Sequence, residues 1–241
     1  RALFLKPWQQ FLLNQVLTKA EVSDKPLWQR ARAILSTNNL TANVDSVAYR
    51  LVRNFRLNLR DQVFALFNQH LEKIDPNYSF HAIRHQIEIP LWQLVNQQPK
   101  NFLWLANDWP TTFAKALEQT LADMTEAQPL EQATWGQQNT AEIKHPLTKG
   151  VPLLASWLNM PATPLPGDSY MPRVQGKAFG ASERMVVSPG HEHRGILHMP
   201  TSQAGHPWSP YYRIGHQDWE QGKPSPFLPG QTKYSLTLLS Y

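Results

Sequence analysis

No cysteine occurs among the 241 residues. Disulfides, zinc–thiolate centres and a cysteine nucleophile are therefore excluded. Glycine is scarce, at 11 residues, and neither a Walker A loop nor a G-x-G-x-x-G turn is present. A phosphate cradle of backbone amides has no sequence to form it. Charged residues are only 17% of the chain, against ~25% in an average soluble domain. Twenty Gln and 13 Asn fill much of the polar surface instead. No apolar run approaches the ~18 residues of a membrane span. The sequence does not open on Met, and no cleavable leader is expected among its first residues. It opens Arg1-Ala2-Leu3-Phe4-Leu5-Lys6-Pro7-Trp8, already in an apolar rhythm, which reads as a cut through a longer polypeptide.

What is present argues for a folded protein. Hydrophobic residues make up 41% and aromatics 11%, with nine Trp, the opposite of a disordered composition. The length allows one large domain or two small ones. The net charge is +5 and spread evenly. Residues 1–128 carry 14 basic and 11 acidic groups, and residues 129–241 carry 9 and 7. A nucleic-acid binder concentrates its charge on an arm or stripe, so no nucleic-acid partner is expected, and no membrane.

Proline divides the chain, with 6 of 20 in residues 1–128 and 14 in 129–241. The front can hold long helices and the back cannot. Residues 45–70 predict a helix capped by Asp45 or Ser46. Leu51, Val52, Phe55, Leu59, Val63 and Leu66 share its apolar face. Arg50, Arg53, Arg56 and Arg60 lie on the flank, where a solvated side is the commoner reading than an anion groove. A second helix is expected from Pro110 to Met124, with Phe113, Leu117, Leu121 and Met124 as its stripe. Shorter ones are expected near 8–19, 26–36, 78–88 and 91–97, with turns at Asp75-Pro76-Asn77 and Gln98-Pro99-Lys100. Beyond 129, a short helix is predicted over 151–159 through Val151, Leu154 and Leu158. Two strands, 184–187 and 195–199, are predicted around the turn 188–193. Tyr211 to Gln221 reads as helix stopped by Gly222 and Pro224, and Tyr234 to Leu239 as a last strand.

Candidate chemistry is sparse. His191, His193 and His198 cluster with Glu192, but a metal site needs three or four converging ligands, and a polar hairpin turn is the plainer reading. No G-x-S-x-G elbow exists. Ser202 with His206 nearby lacks an orienting carboxylate. Trp92, Trp104, Trp109 and Trp135 could stack a sugar or base, but core aromatics are the commoner explanation.

The stretch from Met185 to Gly222 resembles the C-terminal signature of the penicillin acylase (penicillin amidase) family. Ser202-Gln203-Ala204-Gly205 stands where that family has Gly-x-Ser-Gly. Pro207, Ser209 and Tyr212 follow in order, then Gln217, Asp218, Trp219 and Gly222. Upstream, Trp135-Gly136, His145-Pro146-Leu147, Pro164 to Asp168 and Gly180 to Arg184 are similar to the same family. The likeness is specific over 135–222 and looser over 1–128.

The resemblance implies an α+β fold, the C-terminal portion of an N-terminal-nucleophile hydrolase α-β-β-α sandwich. A mainly helical subdomain, 1–128, would precede a Pro-rich segment, 129–241, whose strands complete the catalytic sheet. It also implies a periplasmic zymogen that cleaves itself into α and β chains. A Ser at the β-chain terminus would attack a linear amide, with its own α-amino group as base. Substrates would be the acyl side chain of a β-lactam, which places the protein in antibiotic metabolism, or an N-acyl-homoserine lactone. This chain opens on Arg1, so the resemblance carries over no catalytic, cofactor-binding or metal residue to it, and the family's structural calcium would be held upstream. Partners would be the remainder of the β chain and the α chain. Arg184, Gly205, Tyr212 and Trp219 read as structural, Gly205 through a tight turn. The alternative is a non-catalytic binding or interaction module. A fragment of this kind is expected to carry unpaired sheet edges and an apolar face.

Overall fold

In the computed structural model the chain separates into two compact units, 1–138 and 139–241. Described residues are 3–37, 40–102, 106–169, 171–180 and 183–239. The boundary lies beyond the point where proline becomes frequent, because residues 130–138 pack with the helices. Trp135 N–H donates to Ser46 O (3.0 Å) and Gly136 N–H to Val44 O (2.8 Å).

The first unit is helical. Helix α1, Lys6–Phe11, widens into a π-helical turn over Leu12–Val16. Helix α2 is Pro26–Thr37 and α3 is Val47–Ile74. A single turn, α4, spans Phe80–Ile83. Helix α5 is Glu88–Gln97, α6 is Trp109–Thr125, and the short α7 is Trp135–Gln138. Ser46 caps α3 by accepting from Tyr49 N–H, satisfying one of the amides a helix start leaves orphaned. The sequence pattern ends a helix near 88 and starts another at 91; the structure starts α5 at Glu88. Pro90 falls in its first turn, where an N–H is not needed.

Helices α3 and α6 form the middle of this unit. Leu51, Val52, Phe55, Leu59 and Val63 of α3 are fully buried, and Phe113, Leu117, Leu121 and Met124 of α6 are buried as well. Leu66, expected on the same face, is 36% exposed, because the helix runs on past the elements that cover its earlier turns. Asn58 Nδ2 donates to Thr120 Oγ1 between the two helices (2.9 Å). Trp8, Phe11 and Phe113 add edge-on ring contacts, with Phe11 and Phe113 centroids 5.0 Å apart and Trp8 and Trp92 4.8 Å apart. Edge-to-face pairs of this kind add to the area they bury.

The arginine flank of α3 is not a solvated side. Arg53 lies over Trp135 (4.9 Å) and Arg60 over Phe80 (5.7 Å), and the Arg56 side chain is only 14% exposed. Arg56 pairs with Glu88 at the start of α5, whose other oxygen accepts from Trp8 Nε1 (2.8 Å). Burial lowers the Arg56 pKa; Glu88 opposes this, and Arg53 and Arg60 reinforce it. Long aliphatic stems and planar heads let arginine cover apolar surface in this way.

The second unit is mostly loop, with 3-10 turns over Pro146–Lys149 and Pro152–Leu154. The region expected as one helix over 151–159 is that second turn followed by α8, Ala155–Leu158. Of its three apolar positions only Leu158 is buried. Strand β1, Arg184–Val186, pairs antiparallel with β2, Ile196–His198, with Arg184 opposite His198 and Val186 opposite Ile196. Residues 225–227 extend this ladder on the far side of β2. Helix α9 is His216–Gln221. The expected helical start at Tyr211 fails because Arg213 (φ +64°) and Gly215 (φ +81°) turn the chain left-handed before it. The expected last strand is absent: residues 234–239 make no ladder and are exposed. Period-two alternation supplies a strand's face but not its partner.

Two contacts of the helical unit are open to direct test. Glu88→Ala should cost about 2 kcal/mol in urea denaturation, since it strands the Arg56 cation and the Trp8 N–H. Glu88 is partly exposed, so the loss falls below the ~3–5 kcal/mol of a fully buried pair. The second contact is that of Asp108, which caps α6 by accepting from Thr111 N–H (2.7 Å). That bond holds its carboxyl below the ordinary aspartate value. A folded-state pKa below the unfolded one gives stability that is present above the unfolded value. It is lost as pH falls through the folded value. Asp108→Asn keeps an acceptor and should shrink the drop in Tm between pH 7 and about pH 3.

Candidate functional site

The polar residues of the second unit converge on the C-terminal end of α9. A six-residue helix leaves its last carbonyls without intrahelical partners. Here Arg184 Nη1 donates to Trp219 O (2.9 Å), Arg173 Nη2 to Glu220 O (2.5 Å) and Gln175 Nε2 to the same oxygen (3.2 Å). Cations suit this end of a helix, where the macrodipole is negative. Burial lowers the pKa of both arginines, and Arg173 lowers Arg184 further. Glycine ends the helix as expected: Gly222 sits at φ +65° and Lys223 N–H returns to Asp218 O (3.0 Å).

Histidine roles follow from their partners. His198 Nε2 lies 2.6 Å from Lys223 O, which can only accept, so that nitrogen carries a proton. Its Nδ1 faces Arg184 Nη1 at 3.3 Å, a pure donor, so Nδ1 keeps its lone pair. His198 therefore donates from Nε2 and accepts through Nδ1. His216 donates from Nδ1 to Pro200 O, and its Nε2 meets Glu220 Oε1 at 3.0 Å, with one proton between them. Both rings are buried.

Trp219 fills the centre of this arrangement. It is fully buried with Ala141 and Leu165, stacks on His216 (5.7 Å) and lies under Arg184 (5.6 Å). A Cβ at Gly180 would sit 2.1 Å from Trp219 Cζ2, so the backbone at 180 passes against the bare ring. Asn139, also buried, donates to Leu165 O (2.9 Å) and Gln175 O (3.1 Å), tying the loops together.

A cleft of about 290 Å³ lies elsewhere in the unit, lined by Ile143, His145, Leu158, Met160, Ser202 and Tyr212, with others. Three of its polar side chains are engaged structurally. Tyr212 Oη donates to Leu158 O (2.6 Å) and Ser202 Oγ to Tyr211 O (3.2 Å). His145 Nδ1 accepts from Leu147 N–H (3.2 Å). A serine whose hydroxyl is directed at a carbonyl is not activated by a base. Volume and lining place the cleft at the small end of ligand pockets.

The candidates read from the sequence scatter on this map. His191 and His193 are exposed in the hairpin turn with rings 6.2 Å apart, while His198 turns inward, away from them. Among the described residues no three of His, Asp or Glu could hold a metal ion. Ser202 and His206 do not pair; His206 Nδ1 accepts from Trp208 N–H. Trp109 and Trp135 are core residues and Trp92 is half-buried beside Trp8; Trp104 lies outside the described residues. Gly205 proves not to need its glycine: a Cβ there meets nothing, and the left-handed residue of the segment is Ser202 at φ +68°. No sequence pattern singles out Arg173, Gln175, Asn139, His216 or Glu220. Their common signal is polar residues around an apolar Trp, visible only once α9 is placed.

Of the four positions that the resemblance marks as structural, Arg184, Tyr212 and Trp219 make structural contacts and Gly205 does not. The penicillin amidase family model matches residues 5–234, and the chain belongs to that family. No curated protein matches it. Gly180→Ala should destabilise the chain by about 3 kcal/mol in urea denaturation, because the buried Trp219 ring must be displaced to admit the methyl group.

Proposed function

We propose that this chain is the C-terminal part of the β chain of a penicillin-acylase-type amidohydrolase. The observation that carries the reading is the family match across 5–234. Its signature side chains satisfy helix ends and carbonyls rather than presenting a nucleophile. The reaction would be hydrolysis of a linear amide. A terminal Ser, outside this sequence, would attack the carbonyl, its free α-amino group taking the proton, and backbone donors would hold the oxyanion. The acyl side chain of a β-lactam and an N-acyl-homoserine lactone are the substrate classes of choice. In this reading the second unit adds strands to an α-β-β-α sandwich, and the α chain and the rest of the β chain are its partners. Self-cleavage of a periplasmic precursor would set the mature ends. No helix of the described residues is long and apolar enough to cross a membrane.

The test compares two preparations against a chromogenic acyl-anilide. The 241-residue chain alone is expected to release no amine. The product of the gene including its upstream coding sequence is expected to release it, and to lose that activity when the mature terminal Ser is replaced by Ala. Hydrolysis by the chain alone overturns the reading, as does an upstream sequence without that Ser.

A further inference from the structure

The small sheet of the second unit has two edges, and they differ chemically. Leu197 N–H donates to Ser225 O (3.2 Å) and Phe227 N–H to Gly195 O (3.0 Å). Backbone groups alternate sides along a strand, so those of Ile196 and His198 face β1. Arg184 and Val186, opposite them, direct their N–H and C=O at β2. Met185 and Val187 point theirs outward, where no backbone partner is found among the described residues. At the other edge Ser225 and Phe227 face β2, so the outward positions are Pro224 and Pro226. Neither has an N–H, and that edge is closed to a further strand. The β1 edge is open, and Met185 and Val186 beside it are 58% and 56% exposed.

The same chain holds a segment of matching chemistry. Tyr234, Leu236 and Leu238 alternate with Ser235 and Thr237, giving one apolar face at the period of a strand. Tyr234, Leu236, Leu238 and Leu239 are each at least 85% exposed. We propose that residues 234–239 close the sheet as a fourth strand, antiparallel on the outer edge of β1. The spatial order becomes 234–239, β1, β2, 225–227, the Greek key in which the fourth strand returns to lie beside the first.

Direction and length both fit. Residues 225–227 run antiparallel to β2 and so parallel to β1; a chain that reverses after Phe227 meets β1 antiparallel. The crossing covers three strand spacings, ~14 Å, and residues 228–233 reach up to about 20 Å. A second copy offers the same segment, but a tethered one meets the edge at an effective concentration of order millimolar, far above that of another molecule in dilute solution.

The absence of cysteine makes the test clean. Val186→Cys is combined in turn with Ser235→Cys, Leu236→Cys, Thr237→Cys and Leu238→Cys, and each full chain is oxidised at micromolar concentration. Val186 would face its new neighbour as a non-hydrogen-bonded pair, with Cα atoms ~4.5 Å apart, within disulfide reach. The expected result is an intramolecular disulfide at positions of one parity only. Covalent dimers in place of it assign the edge to a second copy and overturn the proposal. So do no disulfide or equal yields at all four positions. Hydrogen exchange on the unmodified chain provides the second reading. Alternate amides within 235–239 should be slowed at least ~10-fold. Met185→Pro, which removes one outward N–H and leaves the ladder to β2 intact, should abolish the slowing. Uniformly fast exchange in 235–239, or slowing that survives Met185→Pro, overturns it.

Discussion

The carbonyls at the end of α9 need donors, and the second unit is arranged to supply them. A helix of six residues does not hold itself together in water, because nucleation consumes most of what its few hydrogen bonds return. Tertiary contacts must finish it. Arg184 comes from β1, Arg173 and Gln175 from the loop ahead of it, and all three end on Trp219 O or Glu220 O. His198 of β2 accepts from the same Arg184 and holds Lys223 O, just past the helix. Strand, loop and helix are positioned by one set of carbonyls. Their burial makes the set obligatory, since an unpaired buried carbonyl costs more than a made bond returns.

The helical unit meets the same requirement with charge. Arg56 is buried against Glu88, and Glu88 also receives the Trp8 indole N–H. One carboxylate therefore joins α1, α3 and α5. Of the neighbouring arginines, Arg53 lies over the Trp135 ring, and Arg60 lies over Phe80 while pairing with Asp61. On this side of α3 the quadrupole of an aromatic face thus adds to the role of a counter-ion.

Much of this is legible in the sequence where a local rule governs it. The Ser46 cap, the apolar stripes of α3 and α6, the β1–β2 hairpin and the Gly222 stop each depend on residues within one turn or one strand pair. The failures have a common cause. Leu66 has the right period but lies past its cover. The arginine flank has the period of a solvent face but meets aromatics from distant segments. Residues 234–239 have a strand's alternation, and alternation says nothing of the edge it requires. Among the site residues, Arg184 and Trp219 are readable through the family resemblance, whereas Arg173, Gln175 and Asn139 act on carbonyls brought near only by the fold.

Hydrogen-bond polarity explains why the signature here is a structural one. A general base needs a free lone pair within reach of a hydroxyl. His198 has its lone pair on Arg184, while His145 and His206 each accept a backbone N–H through Nδ1. Ser202 and Tyr212 both direct their hydroxyls at carbonyls. These groups stabilise loops, and each such bond makes its member a poorer reagent. The proposed mechanism, which would draw both nucleophile and base from a chain terminus outside this sequence, would place no demand on them.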